Sequence, residues 1–60
     1  MGTIEHARRL GAGADLTDGT DRFLVSDWSP ATGQVYGWRL RDDGRKGAYC
    51  KLPADLMETR

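Results

Sequence analysis

The sequence is poor in cysteine and histidine, with one residue of each, Cys50 and His6. A lone cysteine excludes an intrachain disulfide framework, and one cysteine with one histidine gives too few soft ligands for a structural zinc site. We therefore predict a protein without a metal or a cofactor. The cytoplasm is the default location for such a chain.

Long hydrophobic runs are also lacking, since the longest apolar stretch is the three residues Phe23-Leu24-Val25. A run this short excludes a transmembrane span and the hydrophobic region of a secretory signal, so we expect a soluble protein that makes no membrane contact. Net charge is absent as well, because nine basic residues balance nine acidic ones. Nucleic-acid-binding domains usually carry net positive charge, so this balance disfavours that class.

What the chain does have is a globular composition, with 38% hydrophobic and 30% charged residues over 60 positions. We predict one small domain spanning residues 1–60. A domain of this length buries only about 60% of its unfolded surface, so an oligomer or a bound partner would supply useful stability. Eight glycines suit the turns and bulges of a mainly β fold.

Three strands are predicted in the middle of the chain, over residues 22–28, 34–41 and 46–52. Turn-forming residues at 29–33 separate the first strand from the second. Asp-Gly at 43–44 then predicts a tight hairpin with a type I′ turn, in which both central residues have positive φ.

The N-terminal third is less regular. Residues 3–10 fit either a short α-helix, with Thr3 as N-cap and Gly11 just past its end, or a first strand, and the pattern leaves both open. Residues 11–21 are rich in glycine and aspartate around one apolar residue, Leu16. We predict a long loop there that Leu16 pins to the core.

The order of these elements resembles that of Src-homology-3-like small β-barrels. The resemblance rests on Gly37-Trp38, on Gly47-Ala48-Tyr49 and on Pro53-Ala54-Asp55-Leu56-Met57, which stands where such domains carry a Pro-x-x-Tyr-Val turn. It implies a mainly β fold, as a single small barrel or a bent antiparallel sheet of about four or five short strands. Because Pro53 presets a first helical position, we expect one 3₁₀ turn after it, with Leu56 and Met57 closing the core.

No catalytic constellation stands out. The possible nucleophiles are Ser26, Ser29 and Cys50, and the only base suited to neutral pH, His6, is far from them in sequence. Cys50 is predicted to be a small buried residue of its strand. Residues 33–38 also resemble a stretch of the plasmid-borne, trimethoprim-insensitive dihydrofolate reductases, but the Val-Gln-Ile-Tyr active-site segment of that family has no counterpart. We therefore predict that the protein is not an enzyme.

Acidic residues occur in two groups. Asp15, Asp18 and Asp21 are spaced by three, but they lack the Asp-x-Asp-x-Asp-Gly pattern and the distal glutamate of a calcium loop. Asp42 and Asp43 lie beside a glycine, where aspartate usually belongs to turn chemistry. We therefore predict no metal site.

Charge is unevenly distributed along the chain. Residues 10–30 have four aspartates against one arginine, a net charge of −3, and residues 35–52 have five basic residues against two aspartates, a net charge of +3. The basic residues are Arg39, Arg41, Arg45, Lys46 and Lys51. They form either a phosphate-tracking face with Tyr49 as a stacking surface or a solvated face that pairs with the acidic loop.

Five aromatic residues are more than so small a core hides completely. One arrangement places Phe23, Tyr36 and Trp38 in the core and leaves Trp28 partly shielded. In the other, Trp28 and Tyr49 lie close together on the surface as anchors for a partner, because tryptophan, tyrosine and arginine dominate interface hot spots.

These observations predict a small binding module without catalytic activity. We expect it to act on a protein partner as an adaptor, an inhibitor or an accessory subunit, of the size that phages and mobile elements encode, and a homo-oligomer is compatible with this. The predicted contact residues are Trp28, Tyr49, Arg39, Arg41, Arg45, Lys46 and Lys51. The alternative is a nucleic-acid-binding β-barrel that uses the basic hairpin.

Overall fold

A computed structural model of the chain describes residues 2–59. The elements are α1 Thr3–Leu10, β1 Asp15–Thr17, β2 Arg22–Ser29, β3 Gln34–Leu40, β4 Lys46–Lys51 and β5 Met57–Glu58. The strands form one open antiparallel sheet in the order β4-β3-β2-β1-β5. The predicted mainly β class is confirmed. Of the two predicted forms, a small barrel or an antiparallel sheet, the structure has the sheet. Within the described range, no helix is long and apolar enough to cross a membrane.

Of the two alternatives for residues 3–10, the structure has the helix. α1 ends as expected at Gly11, whose φ of 74° lies in the left-handed region and whose N–H donates to the Ala7 carbonyl at 2.7 Å. The prediction of Thr3 as N-cap is wrong, because Gly2 holds that position and Thr3 is the first helical residue.

The buried Thr3 side chain instead joins the helix to the C-terminal segment. Its hydroxyl donates to the Pro53 carbonyl and accepts the Leu56 N–H at 2.9 Å, and the Thr3 backbone N–H donates to the Ala54 carbonyl at 2.8 Å. The turn predicted after Pro53 lies at residues 54–55, and Leu56 is buried as expected, but the prediction that Met57 also closes the core is wrong because it is 50% exposed. The first turn of α1 is therefore held to residues 53–56 by hydrogen bonds that satisfy backbone groups of both segments.

Two strands, β1 and β5, were not expected from the sequence. Part of the predicted loop forms β1, which lies between β2 and β5 in the sheet. Leu16 is fully buried at its centre and does pin this segment to the core. The flanking Asp15 and Thr17 are polar, and a strand of three residues is too short for its alternation to be recognised.

The core lies between α1 and one face of the sheet, which we call the inner face. Its fully or nearly buried members are Ala7, Ala14, Leu16, Phe23, Val25, Val35, Leu52 and Leu56. Partly buried Ile4, Leu10 and Trp28 pack against them.

The arrangement that places Tyr36 and Trp38 in the core is wrong, although Phe23 does belong to the core. Val35 and Gly37 are buried on the inner face, so the alternating residues Tyr36, Trp38 and Leu40 lie on the opposite, outer face, where each is half-buried. On the inner face of β3, only Val35 and Gly37 are buried, beside Phe23 and Val25 of β2. The two aromatic residues of β3 are therefore outside the core.

A bulge in β2 explains why residue 37 is glycine. The register between β2 and β3 shifts between Val25 and Asp27, so Ser26 is an extra residue. At this point the two backbones approach so closely that a Cβ built on Gly37 overlaps the Leu24 carbonyl oxygen and lies 3.1 Å from the Val25 Cα. Only glycine fits there.

The β3–β4 hairpin lies where Asp43-Gly44 predicts it, but the type I′ turn is wrong. Gly44 has a φ of 83°, whereas no described residue other than glycine has positive φ. The Gly44 N–H donates to the Arg41 carbonyl at 2.9 Å, and the Arg41 N–H donates to the Arg45 carbonyl at 2.8 Å. This pattern fits a three-residue loop, 42–44, in which only the last residue is left-handed.

Candidate protein-interaction surface

Strand register brings aromatic and basic side chains together on the outer face. Trp38 of β3 is paired with Leu24 of β2 on one side and with Tyr49 of β4 on the other. One step along β3, Tyr36 is paired with Lys51. Paired residues of an antiparallel sheet share a face. We call the group formed by Tyr36, Trp38, Lys46, Tyr49 and Lys51 the aromatic patch.

Trp38 and Tyr49 form the centre of the aromatic patch. Their ring centroids are 5.2 Å apart, with 67° between the ring planes, which is an edge-to-face contact. The Lys46 Nζ lies 4.3 Å from the Trp38 ring centroid, a cation–π distance. Trp38 is thus covered on two sides, whereas Tyr49 remains 54% exposed.

Tyr36 extends the aromatic patch along β3. Its hydroxyl donates to the side-chain oxygen of Gln34, which is two residues earlier in the same strand. This hydrogen bond holds the ring in place. Because Lys51 is the strand partner of Tyr36, it belongs to the same face, at the end of the patch opposite Lys46. The patch therefore has aromatic rings at its centre and a cation at each end.

Basic residues of the hairpin differ in their partners. The Arg39 guanidinium lies 3.1 Å from the Asp21 carboxylate and that of Arg45 lies 3.6 Å from the Asp43 carboxylate. In the part of the chain that the structure describes, no carboxylate lies within ion-pair distance of Arg41, Lys46 or Lys51. These three cations are the ones available to an acidic ligand.

The structure does not bring Trp28 and Tyr49 together. Trp28 is paired with Val35 and packs against the core on the inner face, whereas Tyr49 lies on the outer face. Sequence reasoning therefore missed Trp38 as the aromatic neighbour of Tyr49. The signal was present in the alternation that places Tyr36 and Trp38 on one face, but that face was assigned to the core.

The prediction of a buried Cys50 is also wrong, because this residue is exposed. It pairs with Gly37, which places it on the inner side of β4. α1 packs mainly on β2, β3 and β5, so it does not extend over the edge strand. The inner side of β4 is consequently open to solvent at Ala48 and Cys50.

The aspartates of the N-terminal half have structural partners. Asp15 forms an ion pair with Arg22, which raises the pKa of that guanidinium above its ordinary value. The Asp18 carboxylate accepts the N–H groups of Asp21 and Thr20 at 2.7 and 2.8 Å, and these bonds hold its pKa below the ordinary value. Across residues 2–59, no group of three or more His, Cys, Asp or Glu side chains is arranged to hold a metal ion.

Among residues 2–59, His6 has the one buried side-chain nitrogen or oxygen without a hydrogen-bond partner. It is 2% exposed in α1, and its Nε2 has no hydrogen-bond partner in the described part of the chain. Its Nδ1 lies 3.7 Å from the Glu58 carboxylate and 3.5 Å from the Arg9 guanidinium. The Arg9–Glu58 ion pair shields it, so His6 belongs to the packing between α1 and β5.

Comparison of the chain with protein-family models, with curated proteins and with solved structures finds no match. A function is therefore inferred from the residues of this chain alone.

Proposed function

We propose that the protein is a non-catalytic module that binds a protein partner through the aromatic patch on the outer face of its sheet. The observation that carries this proposal is the exposed Tyr49 ring, which is held edge-on by Trp38. Tyrosine and tryptophan are enriched among the residues that dominate binding energy at protein interfaces. Such a module would act as an adaptor, an inhibitor or an accessory subunit.

The rigidity of the aromatic patch supports this role. Its residues lie on adjacent strands of one sheet, and Trp38 is already held between Tyr49 and Lys46 before any partner binds. Tyrosine and tryptophan offer a large contact area with few rotatable bonds, so ordering them costs little entropy. A preordered patch of this kind loses less free energy on association than a flexible one does.

Charge favours a protein over a nucleic acid as the partner. The chain has no net charge, and two of the five hairpin cations, Arg39 and Arg45, are already paired with aspartates. Asp27 lies on the outer face opposite Tyr36. The remaining cations, Arg41, Lys46 and Lys51, suit a few acidic side chains better than the long phosphate backbone of a nucleic acid.

Three related statements stay predictions: membership of the Src-homology-3-like family, a cytoplasmic location and a homo-oligomeric state. The binding role of Trp28 stays a prediction as well, separate from the aromatic patch because Trp28 lies on the inner face. None of these is needed for the outer face to hold a partner.

The proposal is tested by affinity capture from a nuclease-treated extract of the source cells. The baits are the wild-type chain, Tyr49→Ala and the control Arg8→Ala, which changes an exposed residue of α1. We expect wild type and Arg8→Ala to retain the same protein and Tyr49→Ala to lose it, provided that all three baits are folded. Equal capture by Tyr49→Ala would refute the proposal.

A second titration addresses nucleic acid directly. The wild-type chain is titrated with mixed single- and double-stranded oligonucleotides at low salt, and we expect no binding in the micromolar range. Micromolar binding that disappears at a few hundred millimolar salt would instead support the nucleic-acid alternative. In that case Lys51→Ala should reduce the slope of log affinity against log salt by about one.

A further inference from the structure

β4 forms a long, uncovered edge of the sheet. It has six residues and pairs only with β3 in the described part of the chain. The opposite edge, β5, has two residues and lies against α1. Exposed edge strands offer free backbone N–H and C=O groups to another strand. β4 is thus the longer template for strand addition in this sheet.

The backbone groups that face away from β3 can be identified from one hydrogen bond. The Leu52 N–H donates to the Val35 carbonyl at 2.8 Å, so the backbone groups of Leu52 point toward β3. Backbone direction alternates along a strand. The N–H and C=O groups of Tyr49 and Lys51 therefore point outward, and they lie beyond the register shift near the start of β4.

Charge distinguishes between the possible occupants of this edge. β4 has the sequence Lys-Gly-Ala-Tyr-Cys-Lys, with a lysine at each end and no acidic residue. In a second copy paired antiparallel about the strand centre, Lys46 of each chain would lie opposite Lys51 of the other, and like charges in that position are destabilising. A segment that contributes carboxylates meets both lysines favourably.

We infer that β4 binds an acidic, extended segment of the partner protein by adding it to the sheet as a sixth strand. This inference rests on the proposed function and specifies the class of ligand that the aromatic patch takes. The outward groups of Tyr49 and Lys51 supply backbone hydrogen bonds, which recognise any extended segment. Side chains on one side of the added strand contact Tyr49 and Lys51, and those on the other side meet Ala48 and Cys50.

This geometry specifies a pattern in the ligand. Residues two apart share one face of a strand, so the ligand has an apolar residue opposite the Tyr49 ring and an acidic residue opposite Lys51 two positions away. In a strand added antiparallel to β4, the acidic residue comes first. The intervening residue faces the small side chains on the inner side of β4. The preferred ligand therefore has an apolar and an acidic residue two positions apart, both on the face that contacts Tyr49 and Lys51.

The test uses a library of random linear peptides of about ten residues, selected against the immobilised full chain. Cys50 permits ligation of a synthetic segment 50–60 to residues 1–49, which allows one methyl group to replace the amide hydrogen of Lys51. N-methylation blocks one outward donor and keeps the lysine side chain. The matched variant Lys51→Gln keeps the donor and removes the charge.

We expect enrichment of peptides with an apolar and an acidic residue two positions apart. Their affinity should fall about tenfold or more on N-methylation of Lys51 and about threefold in Lys51→Gln, with the thermal midpoint of the N-methylated chain unchanged. Tyr49→Ala should abolish binding. These results together support strand addition at β4.

Each of the other possible results contradicts a named claim. Peptides that need Tyr49 but tolerate N-methylated Lys51 would overturn strand addition and leave the proposed function standing. Peptides that tolerate both changes, or a library that yields no micromolar binder, would overturn strand addition, and the capture experiment with Tyr49→Ala then decides whether the proposed function stands. A dimer in sedimentation that N-methylation dissociates would identify a second copy as the occupant and refute the acidic ligand.

Discussion

Trp38 and Tyr49 lie side by side on adjacent strands, with ring centroids 5.2 Å apart, on the face of the sheet that α1 does not cover. Their contact stabilises the outer face. The core does not depend on it, because the buried residues belong to the opposite face. This separation allows the binding surface to be changed while the fold is kept.

The first prediction concerns Trp38→Ala. Because Trp38 is half-buried and outside the core, we expect a loss of about 1–2 kcal/mol in the free energy of unfolding and a protein that remains folded. The control Leu16→Ala removes a fully buried side chain and should cost about 2–5 kcal/mol. Circular dichroism during thermal unfolding measures both. An unfolded Trp38→Ala chain would place Trp38 in the core after all.

Gly37→Ala tests the close approach of β2 and β3. The added methyl group overlaps the Leu24 carbonyl oxygen, so we expect a loss of roughly 2 kcal/mol or more. In the control Gly19→Ala, the φ of 95° is unfavourable but a Cβ has nothing within 4 Å, so about 1 kcal/mol is expected. Urea unfolding compares the two variants. Equal losses would contradict the bulge geometry.

Gly44→Val tests the three-residue loop of the hairpin. A β-branched residue resists the φ of 83°, and we expect a loss of about 1 kcal/mol or more. Gly44→Asn should lose less, because asparagine tolerates the left-handed region. The melting temperatures of the two variants give the answer, and a Gly44→Val chain that melts like wild type would remove the turn assignment.

The pH dependence of stability provides a test of the Asp18 turn. Hydrogen bonds from the Asp21 and Thr20 N–H groups hold the folded-state pKa of Asp18 below its ordinary value of 3.8. The stabilisation is therefore complete above that value and is lost as the pH falls through the lower, folded-state pKa. Asp18→Asn keeps an acceptor oxygen but removes the charge.

We expect Asp18→Asn to be less stable than wild type at pH 7, and the difference in urea midpoint to shrink as the pH falls below the ordinary value of 3.8. Asp18→Ala, which also lacks the acceptor oxygen, should remain less stable at every pH. A constant difference between wild type and Asp18→Asn from neutral to acidic pH would contradict the role of the charge.

Sequence patterns predict the middle of the sheet well. Alternation and turn residues locate β2, β3 and β4 and the hairpin at Gly44, because each signal is local and strong. The short strands β1 and β5 are not predictable in this way. Their few residues enter the sheet through pairing with distant segments and with each other, as in the pair Thr17 and Met57.

The direction in which each strand faces is the main feature that sequence alone does not decide. Alternation separates Val35 and Gly37 from Tyr36 and Trp38 but does not say which pair α1 covers. Side-chain size favours burial of the aromatic pair, whereas in the structure Val35 and Gly37 are the buried residues of β3. The aromatic patch, and the exposure of Cys50, follow from that choice.

The most direct test of the binding surface is a titration of the ¹⁵N-labelled chain with the captured protein, followed by NMR. We predict that the largest shift changes occur at the Trp38 indole and at the backbone amides of Tyr49 and Lys51, while His6 and Ala7 of α1 change little. The largest changes in α1, with the β4 amides unaffected, would contradict the outer face as the site of partner binding.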